Sequence, residues 1–313
     1  MPFKIDINEK EIFPVINLES ESEKTFVTVY AFGALLNNFK VAGSVELIDG
    51  FQSPQDAKEN ITNGFKSAKL SPYVCRIANG KYIFNDKEFT VGKFHLNEEA
   101  IHGLLYDAIF EIVAYGADDD SAFVSLKYNY TKLNEGFPFS YTCIVTYTLE
   151  KNHSLCIETS VKNNADSAMP VCDGWHPYFT LGARIYELLL HLNATKMLEL
   201  NERLIPTGSI LPYHQFQQPE ILGNTFLDNC FLLNENNRLA CVVSNPHSGL
   251  QLSIQPDRSY PYLQIYTPDN RNSIAIENLS AAPDAFNNKI GLTILQPGES
   301  CYFKTLYRAS LNL

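Results

Sequence analysis

Apolar residues recur at every second position along most of this chain. In the clearest run they occupy alternate positions from Tyr141 to Leu149, and a second run follows from Leu155 to Val161. The polar segment Lys151-Asn152-His153-Ser154 separates them. A period of two is typical of a strand with one buried face, and two such runs around a short polar turn predict a β-hairpin.

The same pattern predicts two further hairpins. One joins Lys81–Phe84 to Glu88–Val91, and the other joins Leu239–Val243 to Leu250–Ile254. Helical periodicity is confined to Ser53–Asn60 and 284–288, which are too short to connect parallel strands. The strands must therefore pair antiparallel, which favours stacked sheets or a barrel over a doubly wound fold. The expected fold is all-β, a large antiparallel β-sandwich.

No linker, repeat or low-complexity segment divides the 313 residues, so the chain is expected to form a single domain over 1–313. The formal charge of -11 argues against nucleic acid and anionic membranes as partners, because binding them depends on Lys and Arg. No signal peptide or membrane span is recognisable, and the seven cysteines form no CxxC pair. These features predict a cytoplasmic protein without a disulfide framework.

Several common catalytic motifs are absent from the sequence. It contains no GxGxxG, GxxxxGK[ST], GxSxG or HExxH pattern, and its seven histidines lack the spacing of metal ligands. We therefore expect neither a cofactor nor a metal.

One segment, Gly174-Trp175-His176-Pro177-Tyr178-Phe179, places a histidine among aromatic residues. The ordinary pKa of imidazole is near neutral, so His176 is a candidate proton donor at cell pH. The alternative is a buried structural histidine that is hydrogen-bonded to the backbone.

A second segment, Ser273–Leu279, is strand-like and contains one carboxylate, Glu277. A buried glutamate is uncommon unless it is paired or used in chemistry. The alternative is that Glu277 lies on a solvated face, because alternation groups it with Ser273 and Ala275 and away from Ile274 and Ile276.

Three other positions are weaker candidates on their own. Arg76 precedes a turn and could bind sugar hydroxyls or carboxylates, although an ordinary surface arginine fits equally well. His102 precedes a glycine, and Asp228-Asn229 is typical of an Asx turn. Residue patterns alone thus lead only to a candidate acid–base set.

Taken in order, these segments resemble the aldose 1-epimerase (galactose mutarotase) family from Phe32-Gly33-Ala34 to near the C-terminus. The resemblance implies a galactose mutarotase-like sandwich with His176 as the acid and Glu277 as the base. The substrate-binding residues that it implies are Arg76, His102, Asp228 and Gln264. Three positions depart from the commonest family pattern, and they are Cys75, Leu104 and Trp175. These departures bear on which sugar is bound.

The resemblance also implies the reaction, which is interconversion of the α and β anomers of a hexose or related aldose through an open-chain aldehyde. It requires a small-molecule sugar as substrate, no cofactor, and a monomer or homodimer. Three alternatives stay open. A hexose-6-phosphate 1-epimerase would use cations such as Arg184, Arg258 and Arg271. A glycosidase would pair Glu277 with Asp228, and a carbohydrate-binding protein would hold the sugar without turnover.

Overall fold

Strands occupy most of the chain, and every pairing between named strands of the described residues is antiparallel. The structure is a computed structural model, and it describes residues 2–43, 45–234 and 239–311. The strands before residue 102 are β1 (Phe3–Asn8), β2 (Val15–Ser20), β3 (Thr25–Tyr30), β4 (Leu35–Val41), β5 (Val45–Glu46), β6 (Ala68–Leu70), β7 (Arg76–Ile77), β8 (Lys81–Phe84), β9 (Lys87–Thr90), β10 (His95–Leu96) and β11 (Glu99–Ile101).

The remaining strands form most of the two large sheets and one further strand pair. They are β12 (Glu111–Ala117), β13 (Ser121–Tyr130), β14 (Tyr141–Glu150), β15 (Ser154–Asn163), β16 (Met169–Val171), β17 (Gly174–His176), β18 (Tyr178–Phe179), β19 (Leu189–Leu192), β20 (Lys196–Leu200), β21 (Pro206–Pro212), β22 (Glu220–Ile221), β23 (Asp228–Leu232), β24 (Cys241–Ser244), β25 (Leu250–Pro256), β26 (Tyr262–Tyr266), β27 (Ile274–Leu279), β28 (Thr293–Leu295) and β29 (Ser300–Leu311).

The nine-stranded sheet has the order β12-β13-β14-β15-β29-β25-β24-β19-β22. The eight-stranded sheet runs β21-β20-β23-β26-β27-β17-β6, with β18 also paired to β27. A five-stranded sheet contains β1 to β5 in order, a three-stranded sheet has the order β10-β11-β7, and the pairs β8-β9 and β16-β28 complete the set. All three predicted hairpins are confirmed as β8-β9, β14-β15 and β24-β25.

The two large sheets meet through their side chains, which form the interior of a sandwich. Asn278 on β27 donates to the hydroxyl of Tyr307 on β29 at 3.1 Å. Tyr260, in the segment just before β26, stacks on Phe303 of β29 at a centroid distance of 5.5 Å. Most buried apolar side chains belong to one continuous cluster. The expectation of a single domain over 1–313 stays a prediction, since that range includes 1, 44, 235–238 and 312–313, which lie outside the described residues.

Two short α-helices lie between strands, α1 (Pro54–Asn60) and α2 (Ala285–Asn288), together with 3-10 turns at Ala78–Gly80 and Ile185–Glu187. Each α-helix starts one residue after the start predicted from sequence, because Ser53 and Asp284 are N-cap residues. The Ser53 hydroxyl accepts a hydrogen bond from the Asp56 amide, as N-cap serines commonly do. Among the described residues, no helix has the length and apolar character needed to cross a bilayer.

Candidate active site

His176 and Glu277 lie side by side on neighbouring strands of the eight-stranded sheet. The register pairs Gly174 with Leu279 and Tyr178 with Ala275, so His176 falls opposite Glu277 between these two pairs. Nε2 of His176 is 3.4 Å from Oε1 of Glu277, and the two side chains are only 7% and 3% exposed. The sequence separates these groups by about a hundred residues, and the sheet brings them into contact.

The next two strands along the sheet add the polar side chains of Gln264 and Asp228. Gln264 on β26 pairs with Glu277, and on β23 Cys230 pairs with Gln264, so that Asp228 lies two residues before this pair. The amide of Gln264 donates to Oδ1 of Asp228 at 2.7 Å. Because all these positions belong to adjacent paired strands, their spacing is set by the sheet.

His102 reaches the same place from a strained turn. Its φ is 61°, and that of Gly103 is 76°, where an added Cβ would lie 2.5 Å from the carbonyl oxygen of Ser71. The backbone amide of His102 donates to the carbonyl of Cys75 at 2.9 Å. Its ring lies edge-on to that of His176, with the centroids 4.9 Å apart. Glycine is required after His102 because a side chain there would collide with backbone.

All six predicted site residues line one cavity of about 360 Å³. The other residues that line it are Thr62, Gly64, Phe65, Cys75, Phe94, Leu96, Ile101, Tyr178, Leu200, Leu204, Tyr266 and Pro283. The cavity has a polar floor on the sheet and a largely apolar wall. A polar floor that orients a ligand within apolar walls is the usual composition of a small-molecule site.

Burial disfavours charge on both members of the His176–Glu277 pair. It raises the pKa of Glu277 well above its ordinary value, an effect that the Asp228 carboxylate reinforces and Arg76 opposes. Burial also lowers the pKa of His176 to about 4. Both shifts favour the uncharged forms, a neutral imidazole and a protonated carboxyl, in which the pair holds one proton. This differs from the near-neutral pKa that the sequence suggested for His176.

Several polar atoms of the site residues have no hydrogen-bond partner in the protein. Nδ1 of His102 and of His176, Oε1 of Gln264 and Oε2 of Glu277 are buried and have no hydrogen-bond partner. Among the described residues, the guanidinium of Arg76 has no hydrogen bond or ion pair either, although its charge lowers the pKa of Asp228 against the larger effect of burial. Unpaired buried polar atoms are costly, and since these residues also line the cavity, their free atoms are placed to bond a polar ligand there.

A sequence profile described as aldose 1-epimerase matches residues 14–308 of this chain. The chain belongs to the aldose 1-epimerase family. It is 28% identical over 240 residues to the uncharacterized protein YihR of Escherichia coli K12, and the alignment covers 74% of each chain. It is 25% identical over 223 residues to an aldose 1-epimerase of Haemophilus influenzae, which covers 65% of this chain and 64% of that protein, slightly less than two thirds of its length.

Solved structures share this fold. A galactose mutarotase-like protein from Clostridium acetobutylicum superposes with a TM-score of 0.88 over 99% of this chain and 98% of that one, at 18% identity. The predicted all-β, galactose mutarotase-like sandwich is thereby confirmed, as is the resemblance seen in the sequence.

The structure corrects the solvated-face interpretation of Glu277. Every residue of β27 is buried, so side chains on both faces of this strand are covered. Alternation was uninformative here because Ile274 and Ile276 enter the sandwich interior, while Glu277 enters a cavity on the opposite face. Both faces of β27 are buried, but the sandwich interior covers one face and the cavity lies over the other.

The three departures from the family pattern have different surroundings. Cys75 lines the cavity, whereas Leu104 and Trp175 do not. Trp175 is buried on the other face of β17, where the Lys69 ammonium lies 4.2 Å from its ring centroid and Tyr147 packs at 6.0 Å. Trp175 is therefore a core residue and supplies no platform for a sugar in this cavity.

The apolar wall was missed by the sequence analysis. Tyr266 is two residues after Gln264 on β26, so strand alternation could have placed it on the same face. Tyr178 follows His176 at the same interval, and its ring stacks on that of His176 at 5.0 Å. Leu204, by contrast, comes from the loop between β20 and β21 and has a φ of 58°. No local signal in the sequence brings Leu204 to this cavity.

The three arginines that could have bound a phosphate do not line this cavity. Arg184 donates to the carbonyl of Asn270, Arg271 donates to the carbonyl of Thr225, and Arg258 is exposed. Within the described part of the chain, Arg76 is the only lysine or arginine that lines the cavity. A phosphorylated sugar would also face the carboxylate of Asp228.

Proposed function

We propose that this chain is an aldose 1-epimerase that interconverts the anomers of an unphosphorylated aldose. The observation that carries the proposal is the contact of 3.4 Å between two buried groups, His176 and Glu277, on the floor of a polar cavity. Opening a cyclic hemiacetal requires one proton to leave the C1 hydroxyl and another to reach the ring oxygen. A base and an acid that share one proton match this requirement.

Substrate binding would prepare the pair for this exchange. A sugar hydroxyl that donates to the unpartnered Oε2 of Glu277 stabilises the carboxylate, so the shared proton moves to His176. Glu277 then takes the proton from the C1 hydroxyl while His176 gives its proton to the ring oxygen. The bond between C1 and the ring oxygen breaks, and an open aldehyde results.

Rotation about the C1–C2 bond presents the other face of the aldehyde, and ring closure with the two roles reversed gives the other anomer. The remaining polar groups would hold the rest of the sugar. Arg76 offers a fork of donors, Asp228 accepts, and Gln264 and His102 have buried atoms free for hydroxyls. Bonds to the charged groups are the stronger ones.

The proposal is tested by measuring anomer exchange in NMR with wild type, Glu277→Gln and His176→Ala. Each variant is expected to lose roughly 10²- to 10⁴-fold in enzymatic rate, because each removes one positioned proton transfer. His214→Asn changes an exposed histidine away from the cavity and is the matched control.

Several results would contradict the proposal. Wild-type rates in both folded variants would exclude the acid–base pair. Sugar binding without any exchange in wild type would instead indicate a carbohydrate-binding protein, and release of free sugar from a glycoside would indicate a glycosidase. Exchange of a hexose 6-phosphate in preference to the free hexose would exclude the unphosphorylated substrate.

A further inference from the structure

Three potential metal ligands meet on the floor of the cavity. His102, His176 and Glu277 each present one donor atom, and these atoms all lie within 4.8 Å of one another. They are the only such group of three or more His, Cys, Asp or Glu side chains found in the described residues. Two imidazoles and one carboxylate are a common donor set for zinc and related divalent metals.

We propose that this trio binds a divalent transition metal such as Zn²⁺ and that the bound ion inhibits the protein. The binding itself depends only on the three side chains. The inhibition rests on the proposed function, because it assumes that His176 and Glu277 must be free to exchange protons with a sugar.

The distances suit a tetrahedral ion. Bonds of about 2.0–2.1 Å to nitrogen or oxygen place neighbouring tetrahedral ligands roughly 3.4 Å apart. His176 Nε2 and Glu277 Oε1 are already 3.4 Å apart. One donor atom of His102 lies within 4.8 Å of one donor atom each of His176 and Glu277, so an approach of at most about 1.4 Å (4.8 minus 3.4) would complete the set. Rotation of the half-buried His102 side chain can supply that movement.

The donor atoms of the pair are available because the protein gives them no hydrogen bond. Among the described residues, His176 Nε2 and Glu277 Oε1 have a close polar contact only with each other. The cavity leaves room for a fourth ligand, water or a sugar hydroxyl, which three-ligand zinc sites require.

The same feature limits the strength of binding. Dedicated metal sites orient each histidine through a hydrogen bond to its other nitrogen, and losing such partners typically costs about 10- to 100-fold in affinity. Neither Nδ1 has such a partner here. The ion should therefore bind reversibly and be removable by a chelator.

The direct test is calorimetric titration of chelator-treated protein with ZnCl₂. Wild type is expected to bind one Zn²⁺, and His102→Asn is expected to bind at least about tenfold more weakly, because one of three ligands is lost. His214→Asn should bind as wild type does. Equal melting temperatures for the variants without metal would show that the fold is intact.

Absence of saturable binding in wild type, or equal affinity in His102→Asn, would overturn the site. The inhibition is tested separately in the anomer-exchange assay, where Zn²⁺ should lower kcat/KM and EDTA should restore the original value. Exchange that is insensitive to a saturating concentration of Zn²⁺ would overturn the inhibition. If chelator-treated wild type shows no exchange at all, the proposed function fails, while the titration still decides the metal site.

Discussion

Two pairs of ionisable side chains lie back to back on the same sheet. On the interior face, the Lys69 ammonium is 2.5 Å from Oδ1 of Asp173, and both side chains are completely buried. On the cavity face, His176 lies 3.4 Å from Glu277. Asp173 and His176 are only three residues apart, so the strand that carries the candidate acid also borders the interior pair.

The pairs differ in how far the protein satisfies them. Lys69 also donates to Gly174 O at 3.3 Å and Thr159 Oγ1 at 3.4 Å, while Asp173 Oδ1 also accepts from the Tyr260 hydroxyl at 2.6 Å. Among the residues that the structure describes, only Oδ2 of Asp173 is unpartnered in the interior pair, and Asp173 does not line the cavity. The cavity pair leaves both Glu277 Oε2 and His176 Nδ1 without partners. Burial is therefore a poor guide to function on its own. The interior pair is organised within the protein, and the cavity pair is left incomplete for a ligand.

The largest expected effect comes from breaking the interior pair. Lys69→Met leaves Asp173 buried without its counter-charge and should lower the free energy of unfolding by about 3–5 kcal/mol. Replacing both partners, as Lys69→Met with Asp173→Leu, should restore most of that loss. Urea unfolding measures both variants. A single variant as stable as wild type would show that the interior pair is not organised as described.

The cavity pair should control the pH dependence of activity. Below about pH 4 His176 takes up a second proton, so the pair can no longer act as a base and kcat/KM falls. At high pH the pair loses its only proton, and this limb lies well above the ordinary pKa of glutamate because burial raises that of Glu277. Asp228→Asn removes a nearby negative charge and should move the alkaline limb to lower pH.

A pH series of anomer-exchange rates, corrected for the spontaneous reaction at each pH, checks both limbs. The control is Asp119→Asn, since Asp119 is exposed, does not line the cavity and is not among the causes of the Glu277 shift. An alkaline limb that moves equally in both variants would show that the charge of Asp228 does not act locally on Glu277.

Arg76 on the cavity face, unlike Lys69 on the interior face, should affect substrate binding and not stability when it is replaced conservatively. Lys69 is engaged by the protein, whereas Arg76 has no protein partner in the described chain and faces the cavity. Arg76→Lys should raise KM by about tenfold, because it replaces a bidentate fork with a point charge, and should leave stability unchanged. Steady-state kinetics and thermal melts measure this, with Arg271→Lys as the comparison. An unchanged KM would remove Arg76 from substrate binding.

The smallest effect on activity is expected at Trp175. Trp175→Phe weakens the contact with the Lys69 ammonium and should cost about 0.5–2 kcal/mol of stability. Anomer exchange should stay within about twofold of wild type, because the ring faces the interior. A rise in KM without loss of stability would contradict that placement.

The sequence predicted what depends on local pattern. The hairpins around 85–87, 151–154 and 245–249 were predicted because alternation and turn residues act over a few positions. The resemblance to the aldose 1-epimerase family, which rests on the order of the candidate segments, also identified all six residues that line the cavity floor. The contact between His176 and Glu277 was not predictable, since it depends on the pairing of β17 with β27.

Two further features could not be predicted from local sequence patterns. The pKa of His176 depends on how completely the sandwich covers it, and the sequence alone suggested a near-neutral value. The interior pair was missed because Lys69 and Asp173 are separated by about a hundred residues and belong to ordinary strand patterns. In both cases the decisive property is long-range burial.

The strands and the loops provide different parts of the cavity, and this has a practical consequence for engineering. Five of the six polar floor residues lie on paired strands, and His102 lies in a turn. Phe94 and Leu204 of the wall project from connecting segments. Arg203, the neighbour of Leu204, donates from Nε to Glu99 at 2.7 Å. Libraries restricted to the wall would alter which substituents fit while the reacting groups keep their alignment. Under the proposed function, such libraries would change which sugar is preferred.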